Sequence, residues 1–414
     1  MLKIGLINRI SIRRRFTVSY FTTGKTPFNL SNTDGKDDKY KELNSMYVDM
    51  FTPEGDESET VSNPNNNKSE LEEINEEMND LCNIGYKKIS SQDLQSITKS
   101  PGRFILQSLS HNPYYNLSLE DYIFRNTPSC TGSFTNQRLL FYINDNCAVM
   151  GKNQTSWKEL HLKQLQESGY EILRRLSGGG AVIHDLGNVN YSFLTARDEF
   201  KTSYFNELIT QWINRMSPMD YPLKLNKRGD ITYNDKKCSG SAFKIAKGKA
   251  YHHGTMLISA QLDKFHGLLK PDHINGVEWE CNSVDSVRSE ITNIPFNAPG
   301  EFIDLCIKGF REEFALMTGA NDSVPVYYCD ETSTMNTQIA ETMELLSSDQ
   351  WKYFTGPKFK VKSTETNKTI SVEKGIIRQS DFPGIVGKPF KDIFDKNPQE
   401  LEPASLRRFI SLLY

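Results

Sequence analysis

The run Arg174-Arg175-Leu176-Ser177-Gly178-Gly179-Gly180-Ala181-Val182-Ile183-His184-Asp185 constrains this chain more than any other. Two arginines close a strand-like stretch, three glycines follow, and a second apolar stretch ends on His-Asp. Glycines let a backbone turn where other residues cannot, and let it approach a ligand with no Cβ in the way. Adjacent guanidiniums supply the charge that a phosphate or carboxylate requires. The run therefore predicts a strand–turn–strand unit on an anion-binding wall, against the plainer reading of a solvated glycine hairpin. Alternation along a strand places Arg174 and Arg175 on opposite sides.

Other motifs keep it company. Asn112-Pro113-Tyr114-Tyr115-Asn116-Leu117-Ser118-Leu119-Glu120 and Gly151-Lys152-Asn153-Gln154 precede it. Gly187-Asn188-Val189-Asn190-Tyr191-Ser192-Phe193 follows at once. Lys237-Cys238-Ser239-Gly240-Ser241-Ala242, His252-His253-Gly254-Thr255-Met256-Leu257 and Val287-Arg288-Ser289-Glu290-Ile291-Thr292-Asn293 come later. In this order and spacing the set resembles the lipoate-protein ligase A family, and with the leader described below its fungal mitochondrial branch. The resemblance runs from about Arg103 to near the C-terminus.

That resemblance implies an α+β protein with a biotin/lipoate ligase-like catalytic domain of mixed sheets and flanking helices over 101–325. A small C-terminal α+β accessory domain would occupy 335–414. The implied chemistry has two steps. The carboxylate of lipoate or octanoate attacks the α-phosphate of ATP, with Mg2+, and a lysine of an acceptor domain then attacks the acyl-adenylate. The implied acceptors are lipoyl domains of 2-oxoacid dehydrogenase E2 subunits and the glycine-cleavage H protein, served by a monomer.

The same resemblance implies the site. ATP contacts fall to Arg175, Gly180, Ala181, Val182, Ile183, Lys237 and Asp230, with Asp230 also a candidate Mg2+ contact. Lipoate contacts fall to Lys237, Ser177, Gly178, Gly179 and Gly240. Lys237 carries the catalytic expectation, because a point charge on a flexible stem can follow both the acyl carbonyl and the α-phosphate. Lys236 would face the other way. His184, Asp185, Asn188, His253 and Arg288 are expected to support the site. The residue before Asp230 departs from the family's asparagine, for it is Gly229. His252 and His253 are adjacent, so on a strand they diverge and do not suit a shared metal.

Two other function classes remain open from the residues. One is an acyltransferase drawing on acyl-CoA or an acylated protein, with Cys238 as the nearest nucleophile. The other is a non-catalytic lipoyl-domain-binding protein.

Composition narrows the setting. No run of 18 apolar residues exists, so no membrane span is expected. The 7 cysteines include no Cys-x-x-Cys pair, which suits a reducing compartment. Residues 1–30 hold 6 basic residues and no acid, the make-up of a mitochondrial transit peptide, so the matrix is the expected location. Residues 31–100 hold 16 acids against 7 lysines and a local Asn63-Pro64-Asn65-Asn66-Asn67 tract. This stretch reads as a disordered linker, with helical spacing of Leu71, Ile74 and Met78 over 70–81. The remaining chain is neutral, without the basic footprint of a nucleic-acid binder.

Overall fold

Tight turns set the register of this fold, and register sets which side chains meet. The computed structural model describes residues 88–129, 135–271, 274–315 and 324–414, all within one compact unit. The transit segment, the 70–81 helix and most of the acidic linker lie outside the described residues.

In chain order the first elements are α1 (Ser91–Lys99), β1 (Phe104–Ser108), α2 (Pro113–Asn126), β2 (Arg138–Ile143) and β3 (Cys147–Met150). There follow α3 (Ser156–Glu159), α4 (Leu162–Glu167), β4 (Glu171–Arg174), β5 (Val182–His184), β6 (Asn188–Ala196) and α5 (Tyr204–Met216). The strands β7 (Lys224–Leu225), β8 (Ile231–Tyr233), β9 (Lys236–Lys237), β10 (Ser239–Ala246) and β11 (Lys249–Leu257) come next. Beyond them lie α6 (Leu262–Phe265), β12 (Val277–Cys281), α7 (Pro299–Ala315), β13 (Val326–Cys329), α8 (Glu331–Thr334), α9 (Thr337–Ser347) and α10 (Asp349–Phe354). The chain closes with β14 (Phe359–Ser363), β15 (Thr369–Glu373), β16 (Ile376–Ser380), α11 (Phe390–Phe394) and α12 (Ala404–Ser411).

The architecture is α+β with mixed sheets, as expected. A six-stranded sheet runs β10-β11-β6-β2-β1-β13, parallel where β1 meets β2 and β13 and antiparallel elsewhere. One face packs on α5 and α7 through Phe193, Phe205, Trp212, Phe302 and Phe310. The other packs on α2 and α9 through Tyr115, Leu119, Leu140 and Ile339. Helix α2 starts where Asn112 accepts from the Tyr114 and Tyr115 amides, with proline at the first turn. It is buried on nearly every side, so Glu120 and Asp121 enter the interior with its apolar residues.

Three smaller sheets complete the fold: β4-β3-β5, β7-β8-β9 and β12-β14-β15-β16. The hairpin β8–β9 turns on Asn234 and Asp235, both with positive φ, as a two-residue turn matched to strand twist requires. That turn pairs Tyr233 with Lys236 and Thr232 with Lys237. The last sheet borrows β12 from the middle of the chain. Its apolar core, with Val361, Ile370, Val372 and Phe390, is continuous with Trp157, Leu165 and Ile172.

The residue patterns read as a linker to residue 100, one helix over 157–167, and strands over 350–354 and 369–379, and the structure corrects all four. The linker does not extend to 100: α1 is capped by Ser90 and Asp93 in a reciprocal box and buries Leu94 and Thr98, satisfying the donors that would otherwise fray. The helix read across 157–167 is two short ones, α3 and α4. The stretch Gln350–Phe354 is helical, not a strand, because Ser348 caps it and Trp351 donates to the Arg174 carbonyl. The single strand read over 369–379 is a hairpin, reversed at Lys374 and Gly375 with positive φ.

Arg174 ties the C-terminal region to the glycine run. It is fully buried, donating to the carbonyls of Gln154 at 2.7 Å, Lys152 at 2.9 Å and Lys352 at 2.7 Å. Hydrogen bonds from a charged donor are the stronger kind, and removing it strands the buried Gln154 carbonyl and two partly buried ones. Arg174→Met should therefore lower unfolding free energy by about 3 kcal/mol. Urea denaturation would check this, and a loss below about 1 kcal/mol would show the clamp to be dispensable.

Candidate active site

The glycine run folds around the second arginine. Arg175 is 4% exposed and donates to the carbonyls of Val149 at 3.0 Å, Gly178 at 2.6 Å and Gly180 at 2.8 Å. Its Nε donates to Ser177 Oγ at 3.0 Å. Burial lowers its pKa to about 10, so it stays charged at neutral pH. The turn that wraps it needs its glycines. Gly179 has φ +93°, and a Cβ there would come within 2.8 Å of the Arg175 guanidinium. A Cβ on Gly151 would lie 1.9 Å from the Gly179 carbonyl.

A second chain of bonds backs the turn. Ser177 Oγ lies 2.8 Å from His253 Nε2, and His253 Nδ1 lies 3.0 Å from both oxygens of Glu120. Burial pushes the Glu120 pKa up, but His253, Ser192 and Lys244 outweigh it, and the net shift is downward. The carboxylate is therefore an acceptor and His253 Nδ1 the donor, while Nε2 meets Ser177 Oγ, which also accepts from Arg175. Ser177 is thus fully engaged and is no free nucleophile.

A cavity of about 210 Å³ opens beside this turn. Its floor is a row on one face of the main sheet, where β-pairing aligns Tyr142 with Asn190, Asn190 with Thr255, and Thr255 with Gly240. Arg175, Gly179–Val182 and His184 form one wall, Lys237, Asp230 and Arg228 another, and Val284–Val287 a cover. A second cavity of about 200 Å³ also borders Lys237 and is lined by Ile183, Leu257, Phe265, Leu269 and Ile291. Ala181, Val182, Lys237 and Gly240 border both. Strand β5 is the edge of its sheet, which leaves outward backbone groups beside the second cavity.

Lys237 and Lys236 diverge as alternation requires. Lys237 Nζ is 3.0 Å from Asp230 Oδ1, with the two side chains 20% and 11% exposed. Lys236 is 53% exposed and lies 3.7 Å from Glu290. The Lys237 backbone pairs with Glu290 and Thr292, so the 284–293 segment is laid against it. Gly229 has φ +79°, a conformation that asparagine also tolerates, so its departure from the family residue leaves the turn's shape intact.

The remaining expected residues divide. Ile183 and Arg288 line the second cavity, and an Arg288 nitrogen donates to the Lys270 carbonyl. Ser177 and Gly178 line neither cavity and hold the Arg175 guanidinium instead. Asp185 accepts from the Gly187 and Gln261 amides at 2.9 and 2.7 Å, pinning the corner after β5. Asn188 donates to Asn190.

Two participants were missed. Glu120 gives no sign of burial in sequence, since it sits on a polar position of a helix. Ser286 Oγ donates to Glu159 at 2.6 Å and accepts from the Ala181 amide at 2.8 Å. It fastens the cover to the glycine turn, and its only signal was its place beside Val287-Arg288.

Among the described residues no cluster of three or more His, Cys, Asp and Glu could hold a metal ion. Asp230 and Asp285 face the first cavity, each paired with a lysine. Such a site fits a divalent ion only as one carried in on phosphates, since Mg2+ commonly takes one or two carboxylates plus phosphate oxygens.

Comparison with known proteins agrees with this geometry. Residues 112–311 match the family model described as lipoyl protein ligase A/B catalytic domain. The chain is 47% identical over 371 residues to "Putative lipoate-protein ligase A" of Saccharomyces cerevisiae strain ATCC 204508 / S288c, covering 87% of this chain and 90% of that relative. The counterpart in strain RM11-1a is 46% identical with the same coverage. The crystal structure of P. falciparum LipL1 in complex with lipoate is 29% identical, with TM-score 0.51, across 67% of this chain and 83% of that one. The chain belongs to the lipoate-protein ligase family.

Cys238 is the nucleophile that a thioester route would use, and its surroundings disfavour it. It is fully buried, its thiol donates to the Ile231 carbonyl at 3.3 Å, and burial raises its pKa to about 12. A thiol held protonated is a poor nucleophile. Iodoacetamide at pH 8 should therefore leave Cys238 unmodified in the folded protein while alkylating the half-buried Cys281. Peptide mass spectrometry would decide it, and rapid labelling of Cys238 would restore the thioester route.

Proposed function

We propose that this protein is an ATP-dependent lipoate-protein ligase. The observation that carries the reading is that two cavities share a border, and that Lys237 is the charged side chain on it. The reaction joins two substrates at a single point, the carboxylate of an acid and the α-phosphate of a nucleotide. Lys237 stands where the cavities touch, and its ion pair with Asp230 is partly exposed and able to exchange partners.

The first cavity takes the acyl chain of lipoate or octanoate. Leu117, Tyr142, Val149 and Ala242 supply its apolar wall. The second takes the adenine, between Phe265, Leu269 and Ile291 and the free edge of Val182 and Ile183. The acid's carboxylate attacks the α-phosphorus, the bond to the β-phosphate oxygen breaks, and pyrophosphate leaves; Asp230 would help hold a Mg2+ that offsets the phosphate charge. Lys237 neutralises charge on the phosphate and then on the acyl carbonyl as the acceptor amine attacks it and AMP departs. Arg175 supplies its charge chiefly through the turn, because most of its donors are committed to the turn and to Val149. Glycine amides and a fixed guanidinium need no rearrangement as charge develops.

The acceptor is a lysine of a lipoyl domain, from 2-oxoacid dehydrogenase E2 subunits or the glycine-cleavage H protein. The acid-free leader suits import into the mitochondrial matrix. The mature organellar protein should then begin between Phe16 and Gly35, as N-terminal sequencing would reveal, and retention of Met1 would count against this route.

Lys237→Ala should cost on the order of 3 kcal/mol of transition-state stabilisation, about a hundredfold or more in rate. Lys236→Ala should do far less, being on the outer face. The assay is lipoate- or octanoate-dependent ATP–pyrophosphate exchange, followed by transfer to an apo-lipoyl domain. Equal, mild effects of the two mutations would refute the proposed site. Transfer from acyl-CoA without any exchange would give the reaction to an ATP-independent transferase.

A further inference from the structure

The turn between β7 and β8, Asn226 to Asp230, is held by its own side chains. Asn226 Oδ1 accepts from the amides of Arg228 at 2.8 Å and Asp230 at 3.1 Å. The Asn226 backbone amide donates to the Asp230 carbonyl at 3.0 Å. A backbone amide can only donate, so the Asn226 side chain has one orientation and its NH2 faces away from these amides. That NH2 donates to Asp230 Oδ2 at 3.2 Å. Gly229 brings no side chain here, so the amide group beside the carboxylate is that of Asn226.

The same turn is gripped from behind. Asn206 on α5 is fully buried and donates from Nδ2 to the Gly229 carbonyl at 2.7 Å. Its Oδ1 accepts from the Tyr191 hydroxyl at 2.7 Å, so both ends of this side-chain amide are engaged. The Gly229 carbonyl and the Asp230 N–H belong to one planar peptide unit. Asn206 holds its oxygen and Asn226 holds its N–H. A plane held at both ends resists rotation, and the Asp230 Cα is held with it.

The consequence falls on a carboxylate whose two oxygens have different partners. Oδ2 accepts from Asn226, and Oδ1 meets Lys237 Nζ at 3.0 Å. An unrestrained carboxylate could turn either oxygen, or both, to the ammonium. Here one oxygen is taken, so the lysine meets the other from a fixed direction. An ammonium has three N–H donors, so a contact with one oxygen leaves room on it for a second anion.

We propose that Asn226 is the positioning residue of the Lys237–Asp230 pair. By holding Oδ2 it restricts Asp230 to one oxygen toward the lysine and fixes where the ammonium stands. Its effect on turnover rests on the ligase reading above and deepens it; its effect on Lys237 does not depend on that reading.

The testing variant is Asn226→Ser. A serine hydroxyl still accepts from the turn amides but is too short to reach Asp230 Oδ2. Position 226 is exposed, so the thermal midpoint should be unchanged. In the full-length protein, at saturating Mg-ATP and apo-lipoyl domain, kcat should fall about tenfold with KM for lipoate little changed, a coupling of ordinary size within one polar network. In an Asp230→Ala background the same substitution should change kcat less than about twofold, because its target is gone. Equal losses in both backgrounds are the signature of a merely structural turn and overturn the inference, as does no loss in either. Trace acetylation, read by peptide mass spectrometry, tests it without substrates. Relative to exposed Lys236, Lys237 should react about threefold faster in Asn226→Ser than in the wild type, and no faster when Asp230 is already alanine. Unchanged reactivity of Lys237 overturns the inference. Absence of acid-dependent ATP–pyrophosphate exchange in the wild type would refute the ligase reading, while the labelling still decides the role of Asn226.

Discussion

The guanidinium of Arg175 is the pivot of this structure. It lies beneath the glycine turn and is bonded to carbonyls of Val149, Gly178 and Gly180. Three carbonyls turned toward one cation leave the turn in a single shape. Without the cation the Val149 carbonyl would be a buried acceptor with no donor, and the two glycine carbonyls partly buried ones. The glycines follow from this: Gly179 has no room for a Cβ against the guanidinium, and Gly151 none against the Gly179 carbonyl. The charge itself is balanced at a distance, through Ser177 and His253 to the Glu120 carboxylate on α2. A helix, two strands and the turn are thereby fixed to one another by a single polar chain. Such a chain stabilises only when every member is paired, and here each is.

Arg174 applies the same device on the opposite side of the strand. Its guanidinium gathers carbonyls from the Gly151–Gln154 loop and from Lys352, far along the chain. The Arg-Arg pair therefore does two separate things through one alternation. One residue shapes the cavity wall. Its neighbour holds the C-terminal region onto the sheet that carries that wall.

Much of this was legible in the sequence because local chemistry dictated it. The divergence of Arg174 from Arg175 and of Lys236 from Lys237 follows from strand alternation alone, and the Asn234-Asp235 turn supplies the register. Strands and helices of the large sheet were readable from their apolar periods. The family was legible because several motifs recur in one order. What was not legible depends on contacts distant in the chain. Glu120 sits on a helix whose polar positions are also buried, so periodicity hid it. Residues 350–354 look like a strand by composition, yet Ser348 caps them as a helix. Strand β12 is a short piece whose partners lie some 80 residues later, and nothing near it announces the pairing. Arg175 was expected to touch ATP. That most of its donors go to its own turn and to Val149 could be seen only once the turn was built.

Arg175, which is buried, and Lys237, which is partly exposed, differ in a way that bears on the proposed chemistry. All the bonds of Arg175 lead back into the protein, so it cannot trade a partner without losing the turn. Lys237 has one carboxylate partner, Asp230, at the edge of both cavities, where solvent still reaches. A phosphate arriving there can displace Asp230 as counter-ion, and Asp230 can in turn approach a metal carried on the phosphates. A fixed charge suits the part of the site that must not move, since preorganised donors cost no reorganisation as the transition state forms. An exchangeable charge suits the atoms whose bonds change, because in the proposed reaction the anion to be neutralised passes from phosphate to acyl oxygen between the two half-reactions. The separation of these two tasks between an arginine and a lysine follows from the side chains themselves. The planar fork of Arg175 is satisfied from several directions at once, while the single ammonium of Lys237 on its flexible stem can move from one anion to the next.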